Sequence, residues 1–390
     1  MIILKCPEIR FKNDDGNNYP NWEDKKLDNV FKFYKGKGIS KIELSEEGIP
    51  CIIYGELYTK YREVIGVVKS KTNIKKELLF MSEIGDILIP SSGETQKDIA
   101  TASTVMEKNV ALGGDINILR SKETINSPYV SYYLKHIKNI EISKLSQGNS
   151  VVHLYSKQLS NLKIEIPSLE EQQKIGDFFM LLDKRIEQQE QKIALLKDYK
   201  KAMMQKIFSQ EIRFKDQNGN DYPDWEEKKF LNIFFSIPSR AYQIFKTEIF
   251  SNGKIPVVDQ GKKKVAGYSN EIKKICDKTP CIVFGDHTTE LKYIDFPFII
   301  GADGTKILRN HIANSTLFLY YLLLENNVEQ EGYKRHFSIL TKKSFDIPMI
   351  KEQEKIASFL STIDFNIEKQ EGILENLKNQ KGVLLHKMFI

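Results

Sequence analysis

The sequence predicts an α+β fold in which two α/β units alternate with two long helices packed as an antiparallel coiled coil. This prediction rests on an internal repeat in the 390-residue chain. Residues 8–31 and 211–234 are identical at 15 of 24 positions, and residues 166–208 and 347–389 are identical at 17 of 43. The predicted domains are therefore two units, 1–165 and 211–346, and two helical segments, 166–210 and 347–390.

The composition is that of a globular protein with a mild positive charge. Hydrophobic residues make up 41% of the chain, which is enough to bury a sizeable core. Lys and Arg outnumber Asp and Glu by 58 to 52, and the resulting net charge of +6 permits a nucleic-acid partner without requiring one. No apolar run approaches the ~18 residues that cross a bilayer, and the apolar residues 1–4 are too few for a signal peptide.

The four cysteines predict neither a zinc site nor a disulfide framework. Cys6, Cys51, Cys276 and Cys281 have no CxxC spacing and no paired histidines, and the six histidines are scattered. We therefore expect reduced thiols, a cytoplasmic location, and no metal or cofactor held by this chain itself.

The stretches between the repeated segments, residues 32–165 and 235–346, differ strongly from each other. Two short echoes, 112–115 with 300–303 and 132–134 with 320–322, share an offset of 188 residues. They indicate one fold that carries two divergent surfaces. Because the repeated segment beginning EIRF follows both the N-terminus and the central helix, the two chain ends are predicted to recreate the central junction. The expected arrangement is circular with a pseudo-two-fold axis.

Each predicted helix carries a heptad seam. Apolar residues recur at alternating spacings of four and three between residues 175 and 207, and the second helix repeats this phase. Polar residues interrupt both seams at matching positions: Gln189 and Lys200 in the first, Gln370 and Lys381 in the second. We expect the seams to pack on each other with the polar positions fixing the register. In the alternative, each helix packs on its own globular unit as part of that unit's core.

Within the two units, short apolar runs and capping signals predict the remaining elements. The predicted strands are 49–55, 85–90, 162–166 and 279–285. Helices are predicted to begin near Ser127, as the N-cap before Pro128, and near Ser315. Ser168 and Glu171 form a capping-box pattern at the start of the central helix.

Polar loops between these elements carry side chains that hydrogen-bond phosphates and base edges. The candidate DNA-binding residues of the first unit are Ser91, Ser92, Gly93, Thr95, Lys97, Gln147, Asn149, Ser150 and His153. Those of the second unit are Gln260, Lys262, Lys263, His287, Thr288, Thr305, Lys306, Tyr333, Lys334, Arg335 and His336. Taken alone, any one loop of this kind is more often an ordinary polar surface loop.

No convincing active site is visible in the sequence. There is no Walker lysine loop, no GxGxxG after a strand and no Asn-Pro-Pro-Tyr-like turn. The acidic residues around Asp224 are too closely spaced for a nuclease, and the other copy has Asn21 at the matching position. We therefore predict a non-catalytic chain.

The helix openings resemble those of the DNA-specificity subunit of type I restriction–modification systems. Residues 166–175 and 347–356 both read Ile-Pro-x-x-x-Glu-Gln-x-Lys-Ile, and the Tyr-Pro-x-Trp segments 19–22 and 222–225 introduce the variable units. The resemblance covers the whole chain. It implies that each unit is a target recognition domain that reads one half of a bipartite site in double-stranded DNA.

The same resemblance implies the partners. The helices would separate the two recognition domains and dock two modification subunits, which bring S-adenosylmethionine and methylate adenine N6. Restriction subunits that use ATP with Mg²⁺ would join them. Two other classes of function stay open: an enzyme of unrecognised type, active without partners, and a coiled-coil adaptor that binds only proteins.

Overall fold

The structure, a computed structural model, describes residues 7–148, 151–311, 314–332 and 334–389. It comprises two compact units, Met1–Glu190 with Gly372–Ile390 and Gln191–Glu371. Each unit therefore combines one variable stretch with half of each long helix. These units differ from the domains predicted from the sequence because both helices are shared between them.

The first unit is built mainly on two five-stranded sheets, with strand orders β2-β12-β8-β10-β5 and β3-β6-β4-β11-β7. Its described strands are β1 (Glu23–Lys26), β2 (Phe31–Lys35), β3 (Leu44–Ser45), β4 (Ile49–Ile52), β5 (Val64–Ile65), β6 (Ser70–Thr72), β7 (Phe80–Met81), β8 (Ile87–Pro90), β9 (Ser92–Gly93), β10 (Ser103–Val105), β11 (Ala111–Leu112), β12 (Ile116–Ser121), β13 (Val152–His153) and β14 (Lys163–Ile166). Its helices are α1 (Leu27–Val30), α2 (Glu56–Thr59), α3 (Gln96–Ile99), α4 (Ser127–His136), α5 (Asn139–Leu145) and α6 (Ser156–Leu159), followed by the long α7 (Leu169–Phe208).

The second unit has a four-stranded sheet, β16-β22-β19-β20, and a three-stranded sheet, β18-β17-β21. Its described strands are β15 (Glu226–Lys229), β16 (Phe234–Ile237), β17 (Ile255–Val258), β18 (Gly267–Ser269), β19 (Cys281–Gly285), β20 (Leu291–Ile294), β21 (Ile299–Ile300), β22 (Thr305–Asn310) and β23 (Ser344–Ile347). Its helices are α8 (Phe230–Ile233), α9 (Thr316–Glu325), α10 (Phe337–Leu340) and the long α11 (Ile350–Phe389). The four strands predicted from the sequence are present, in slightly shorter form.

The two units share one topology at their centres. Strand β12 lies between β2 and β8, and β22 lies between β16 and β19 in the same antiparallel manner. Asp115 and Gly304, both with positive φ, precede β12 and β22. This correspondence gives an offset of 189 residues and corrects the 188 read from the sequence echoes.

The helix caps differ in part from the sequence prediction. Asn126, rather than Ser127, is the N-cap of α4, because its side-chain oxygen accepts a hydrogen bond from the Tyr129 amide. Ser315 caps α9 as expected. Ser168 accepts a 3.4 Å hydrogen bond from the amide of Glu171, but the Glu171 carboxylate is directed elsewhere.

The long helices are 40 residues each, or about 60 Å at ~1.5 Å per residue, and they run antiparallel within each unit. Four interhelical ion pairs show this direction, since the residue number falls in α11 as it rises in α7. They are Asp183–Lys381 and Glu190–Lys378 in the first unit, and Lys197–Glu371 and Lys200–Asp364 in the second. The seam lysines predicted to fix the register thus pair with aspartates of the opposite helix.

The seams also belong to the cores of the units. Ile175, Phe179 and Phe389 lie in the main core of the first unit with α4, and Ile207 and Leu360 lie in that of the second with α9. The coiled-coil prediction is confirmed, and its alternative holds as well. Each seam packs both on the opposite helix and on the core of a unit.

The repeated sequence motifs form a buried joint in each unit. The carboxylate of Glu171 accepts hydrogen bonds from the Arg10 guanidinium at 2.9 and 2.6 Å and from the Trp22 indole at 3.1 Å. Next to it, Gln172 accepts a hydrogen bond from the Asn126 amide and donates one to the Pro167 carbonyl. The motif that carried the resemblance therefore attaches the long helix to its unit.

The chain ends of the first unit reproduce the central junction of the second. The amide of Ile9 donates to the carbonyl of Lys387 at 2.9 Å, and the Lys387 ammonium pairs with Glu8. In the second unit the amide of Ile212 donates to the carbonyl of Lys206 at 3.1 Å, and Lys206 pairs with Glu211. The prediction of a recreated junction is confirmed.

The cysteines are structural in character. Cys51, Cys276 and Cys281 are buried and free, and burial raises the pKa of the Cys51 thiol to about 11 and that of Cys281 to about 12. Cys6 lies outside the described residues. Over the described part of the chain, no helix combines the length and apolarity that crossing a bilayer requires.

Candidate nucleic-acid interface

The predicted polar loops converge at the same end of the central sheet in both units. After β8, the amide of Ser91 donates to Asp115, and its carbonyl accepts from the amide of Leu154. After β19, the amide of Asp286 donates to Gly304, and its carbonyl accepts from the amide of His336. One backbone scaffold therefore presents the two unrelated sets of loops.

In the first unit, Ser92, His153 and Gln147 form a small antiparallel ladder. Ser92 pairs with His153 between β9 and β13, and His153 pairs on its other side with Gln147. The Ser92 hydroxyl lies 3.1 Å from Nδ1 of the His153 ring. Residues directly opposite in an antiparallel pair project to the same face. Gln147 is exposed and His153 is half-buried, while Ser92 is 6% exposed and supports the His153 ring through this hydroxyl contact.

Tyr155 extends that surface and was missed in the sequence. It lies two residues after His153, which places it on the same side of an extended chain. Its ring stacks near the His153 ring, with centroids 6.4 Å apart, and is exposed. The spacing from His153 was the available signal. We name the surface of Gln147, His153 and Tyr155 the first reading face.

Other predicted residues of the same loop have structural roles beside this face. Gly93 is buried, and a side chain there would approach Ile99 at 3.2 Å. Ser91 is also buried. Thr95 caps α3 by exchanging hydrogen bonds with Asp98. For Gly93, Ser91 and Ser92, all of which are buried, burial corrects the prediction of direct contact.

In the second unit, Gln260 connects three of the predicted loops. Its side-chain amide donates to the carbonyl of Asp303 at 3.0 Å, and its side-chain oxygen accepts from the amide of His287 at 3.2 Å. Its backbone carbonyl accepts from the Thr288 hydroxyl. His287 in turn donates through Nδ1 to the carbonyl of Lys334, 3.1 Å away. Segments far apart in sequence thus form one surface.

For two predicted residues of the second unit, burial corrects the prediction of a direct DNA contact. Thr305 is 1% exposed, and its hydroxyl donates to the Ala302 carbonyl. His336 is fully buried, with Nδ1 against the Asp286 carbonyl and Nε2 accepting from the Glu331 amide. Both hold loops in place and cannot reach a ligand outside.

Cationic side chains surround these polar surfaces. In the first unit Lys97 is exposed beside the first reading face. Exposed cations of the second unit are Lys262, Lys263, Lys334 and Arg335. Lys306 is half-buried, 3.9 Å from Asp286. The predicted residues Asn149, Ser150 and Tyr333 lie outside the described residues.

The chemistry available here is hydrogen bonding and charge attraction. Gln, Ser and His side chains suit base edges, and Lys and Arg suit phosphates. Across the described ranges, no group of three or more His, Cys, Asp or Glu side chains is placed to hold a metal ion.

Comparison with known proteins gives the family. The family model described as "Type I restriction modification DNA specificity domain" matches residues 19–198 and 222–379. The type I restriction enzyme MjaVIII specificity subunit of Methanocaldococcus jannaschii is 25% identical over 423 residues, covering 99% of this chain and 96% of that protein.

Two solved structures have a similar fold. The S subunit of a type I restriction–modification system from M. genitalium aligns with a TM-score of 0.67 at 16% identity, over 99% of both chains. A chain from a study of complex assembly and conformational transition of the type I R-M system aligns with a TM-score of 0.54 at 15% identity, covering 95% of this chain and 98% of that one. At these identities the likeness concerns the fold.

Proposed function

Because the chain belongs to the family of type I restriction–modification DNA specificity domains, we propose that each unit reads one half of a bipartite site in double-stranded DNA. One observation carries this proposal. The same backbone scaffold presents polar loops at the same end of both central sheets, while the loop sequences differ between the units. A shared scaffold with divergent loops suits two readers of two different sequences.

The first reading face carries exposed polar side chains next to the two-residue strands β9 and β13. The major groove presents a distinct pattern of hydrogen-bond donors and acceptors for each base pair, which such side chains can read. A Gln side chain pairs with adenine through two hydrogen bonds, and donors such as a ring N–H suit guanine. Gln147 and His153 would supply these contacts, while Lys97 would bind phosphate.

In the second unit the corresponding roles fall to different residues. His287, Thr288 and Gln260 form the connected polar surface, and the exposed cations Lys334 and Arg335 lie beside it. Lys262 and Lys263 add positive charge on the loop after Gln260. Phosphate contacts of such side chains set the position on DNA, and base contacts give the sequence preference.

The chain would act without catalysis of its own. The long helices would dock two modification subunits, which bring S-adenosylmethionine for methylation of adenine N6. Restriction subunits using ATP with Mg²⁺ would join the same complex. The cofactors would thus belong to the partner subunits.

Exchange of one variable stretch tests the proposal. Residues 235–346 are replaced by the corresponding stretch of another specificity subunit, and the exchange is made separately for residues 32–165. Each chain is produced with its modification subunits, and the methylated sites are determined by methylome sequencing. We expect each exchange to change one half-site and leave the other intact. A change of both half-sites in either exchange, or no methylation dependence on this chain, would contradict the proposal.

A further inference from the structure

A polar cavity of about 640 Å³ lies in the first unit, beside the first reading face. It is lined by residues of α2 and α3, by the residues that follow α3, by the C-terminal end of α4 and by α5. The side chains that decide its chemistry are Lys97, Thr101, Lys135 and His136. None of the residues in the repeated joint lines it.

Three of these side chains have unused hydrogen-bonding capacity. Lys135 has its ammonium 3.9 Å from a carboxylate oxygen of Glu63, and it makes no hydrogen bond to any described residue. Thr101 is 4% exposed, and its hydroxyl has no partner among the described residues. Lys97 is exposed and forms no ion pair within the described part of the chain. Polar groups placed in this way favour an acceptor from outside.

The nearby carboxylates are occupied elsewhere. Asp98 accepts hydrogen bonds from the amide and the hydroxyl of Thr95, at 3.0 and 2.7 Å. Glu63 is buried and is shared by His136 and Lys381. The hydrogen-bonding capacity of the lysine ammonium groups is therefore not used by these carboxylates, since Lys135 lies 3.9 Å from Glu63 and makes no hydrogen bond to it.

The second unit has the opposite chemistry at the matching place. The offset of 189 residues puts Leu324 and Glu325 at the positions of Lys135 and His136. Burial raises the pKa of the Glu325 carboxyl. The common fold does not require the basic pair. In the first unit both side chains lie beside the buried Glu63, and His136 is engaged by it, whereas Lys135 makes no hydrogen bond to it.

We propose that this cavity binds a phosphate group, supplied by the backbone of the DNA that the first unit reads. This inference rests on the proposed function. Helix α3 follows the Ser92 loop directly, so the cavity adjoins the first reading face. A phosphate there would receive charge-assisted hydrogen bonds from Lys135 and Lys97. The contact would fix the position of the DNA without reading its sequence.

The test uses the full chain assembled with its modification subunits and a DNA duplex carrying its own site. Affinity is measured over a range of salt concentrations for three variants: Lys135→Gln, Thr101→Val and Lys144→Gln. Lys144 is exposed on α5 and does not line the cavity, so it controls for general loss of charge. Thr101→Val keeps the side-chain shape and breaks no hydrogen bond between the hydroxyl and a described residue.

We expect Lys135→Gln to weaken binding about tenfold and to lower the slope of log K against log salt by about one. Thr101→Val should weaken binding about threefold with an unchanged thermal midpoint, as for one neutral hydrogen bond. The control should bind within about twofold of the original chain. Methylome sequencing should show the same two half-sites for all variants.

The measurements distinguish a failure of the proposed function from a failure of the phosphate inference. If the original complex shows no preference for its site, the proposed function is wrong. If it binds its site and both cavity variants match the Lys144→Gln control, the phosphate inference is wrong. In a further arm, inorganic phosphate or a mononucleotide is added to the full chain. A rise in thermal midpoint that both cavity variants abolish, with DNA affinity unchanged, would overturn DNA as the source of the phosphate.

Discussion

Arg10 and Glu171, 161 residues apart in sequence, form a buried ion pair through two hydrogen bonds of 2.9 and 2.6 Å. The Glu171 side chain is fully buried, and the Arg10 side chain is 12% exposed. Arg213 and Glu352 repeat the pair in the second unit, at 3.2 and 2.9 Å. Each carboxylate also accepts a hydrogen bond from one of the two tryptophans in the chain.

We predict that Arg10→Met destabilises the first unit by about 3–5 kcal/mol, because it leaves the buried Glu171 carboxylate without its cation. Urea unfolding followed by Trp22 fluorescence, in a Trp225→Phe background, measures this. Adding Glu171→Gln should recover much of the loss, since the uncompensated charge is removed. Equal destabilisation by Arg10→Met and by the double variant would show that the ion pair is not the cause.

The two seam lysines are expected to contribute unequally. Lys381 pairs with Asp183 at 2.6 Å and also contacts Glu63, whose side chain is 4% exposed. Lys200 pairs with Asp364, whose side chain is 32% exposed. We predict a loss of about 3 kcal/mol for Lys381→Met and about 1 kcal/mol for Lys200→Met. Urea unfolding of both variants compares them, and a larger loss for Lys200→Met would contradict the argument.

Acid should destabilise the first unit through Glu63. Burial raises the pKa of this carboxyl. The hydrogen bond from His136 and the charges of Lys135 and Lys381 have the larger, opposite effect, so the pKa lies well below the ordinary value of 4.5. A carboxyl with a lowered pKa in the folded state adds stability that is complete above its unfolded pKa and is lost as the pH falls below it.

For Glu63→Gln we therefore predict lower stability at pH 7 and a weaker decline between pH 5 and pH 3. The difference in slope approaches about 1.4 kcal/mol per pH unit for one proton. Urea unfolding at several pH values measures both quantities. An identical pH dependence in the variant would exclude Glu63 as the source.

Arg335 and its neighbour His336 should give opposite results when changed. Arg335 is exposed, so Arg335→Ala should weaken DNA binding and leave the thermal midpoint unchanged. A base contact would cost about 1–3 kcal/mol at one position of the second half-site, and a phosphate contact would weaken all sequences alike. His336→Ala should lower the thermal midpoint instead, because it leaves the Glu331 amide without its acceptor. A change of the first half-site in either variant would contradict the assignment.

The sequence predicted the elements better than it predicted the environment of single side chains. Heptad spacing depends on local periodicity, so the helix pair could be inferred from it. The antiparallel direction was inferred from the internal repeat and is confirmed by ion pairs such as Asp183–Lys381. The burial of His336 depends on the Asp286 carbonyl, which is 50 residues away. No local pattern contains that information.

A contact between distant segments also explains why the predicted capping box at the start of the central helix does not form. Ser168 and Glu171 have capping-box spacing, yet the Glu171 carboxylate binds Arg10 and Trp22. A charged partner from a distant segment competes successfully with a local backbone amide, because charge-assisted hydrogen bonds are the stronger ones. The sequence was sufficient to predict that the polar loops follow strands. Tyr155 was missed because only the His153 pairing reveals the direction of its side chain.

The recreated junction has a consequence for chain connectivity. At the centre, one residue, Ser209, separates Phe208 from Gln210, and the same backbone contact follows at Ile212 as at Ile9. In the first unit the same contact forms between Ile9 and Lys387, which are far apart in the sequence. The fold therefore does not require that the long helix lead directly into the segment that packs against its end.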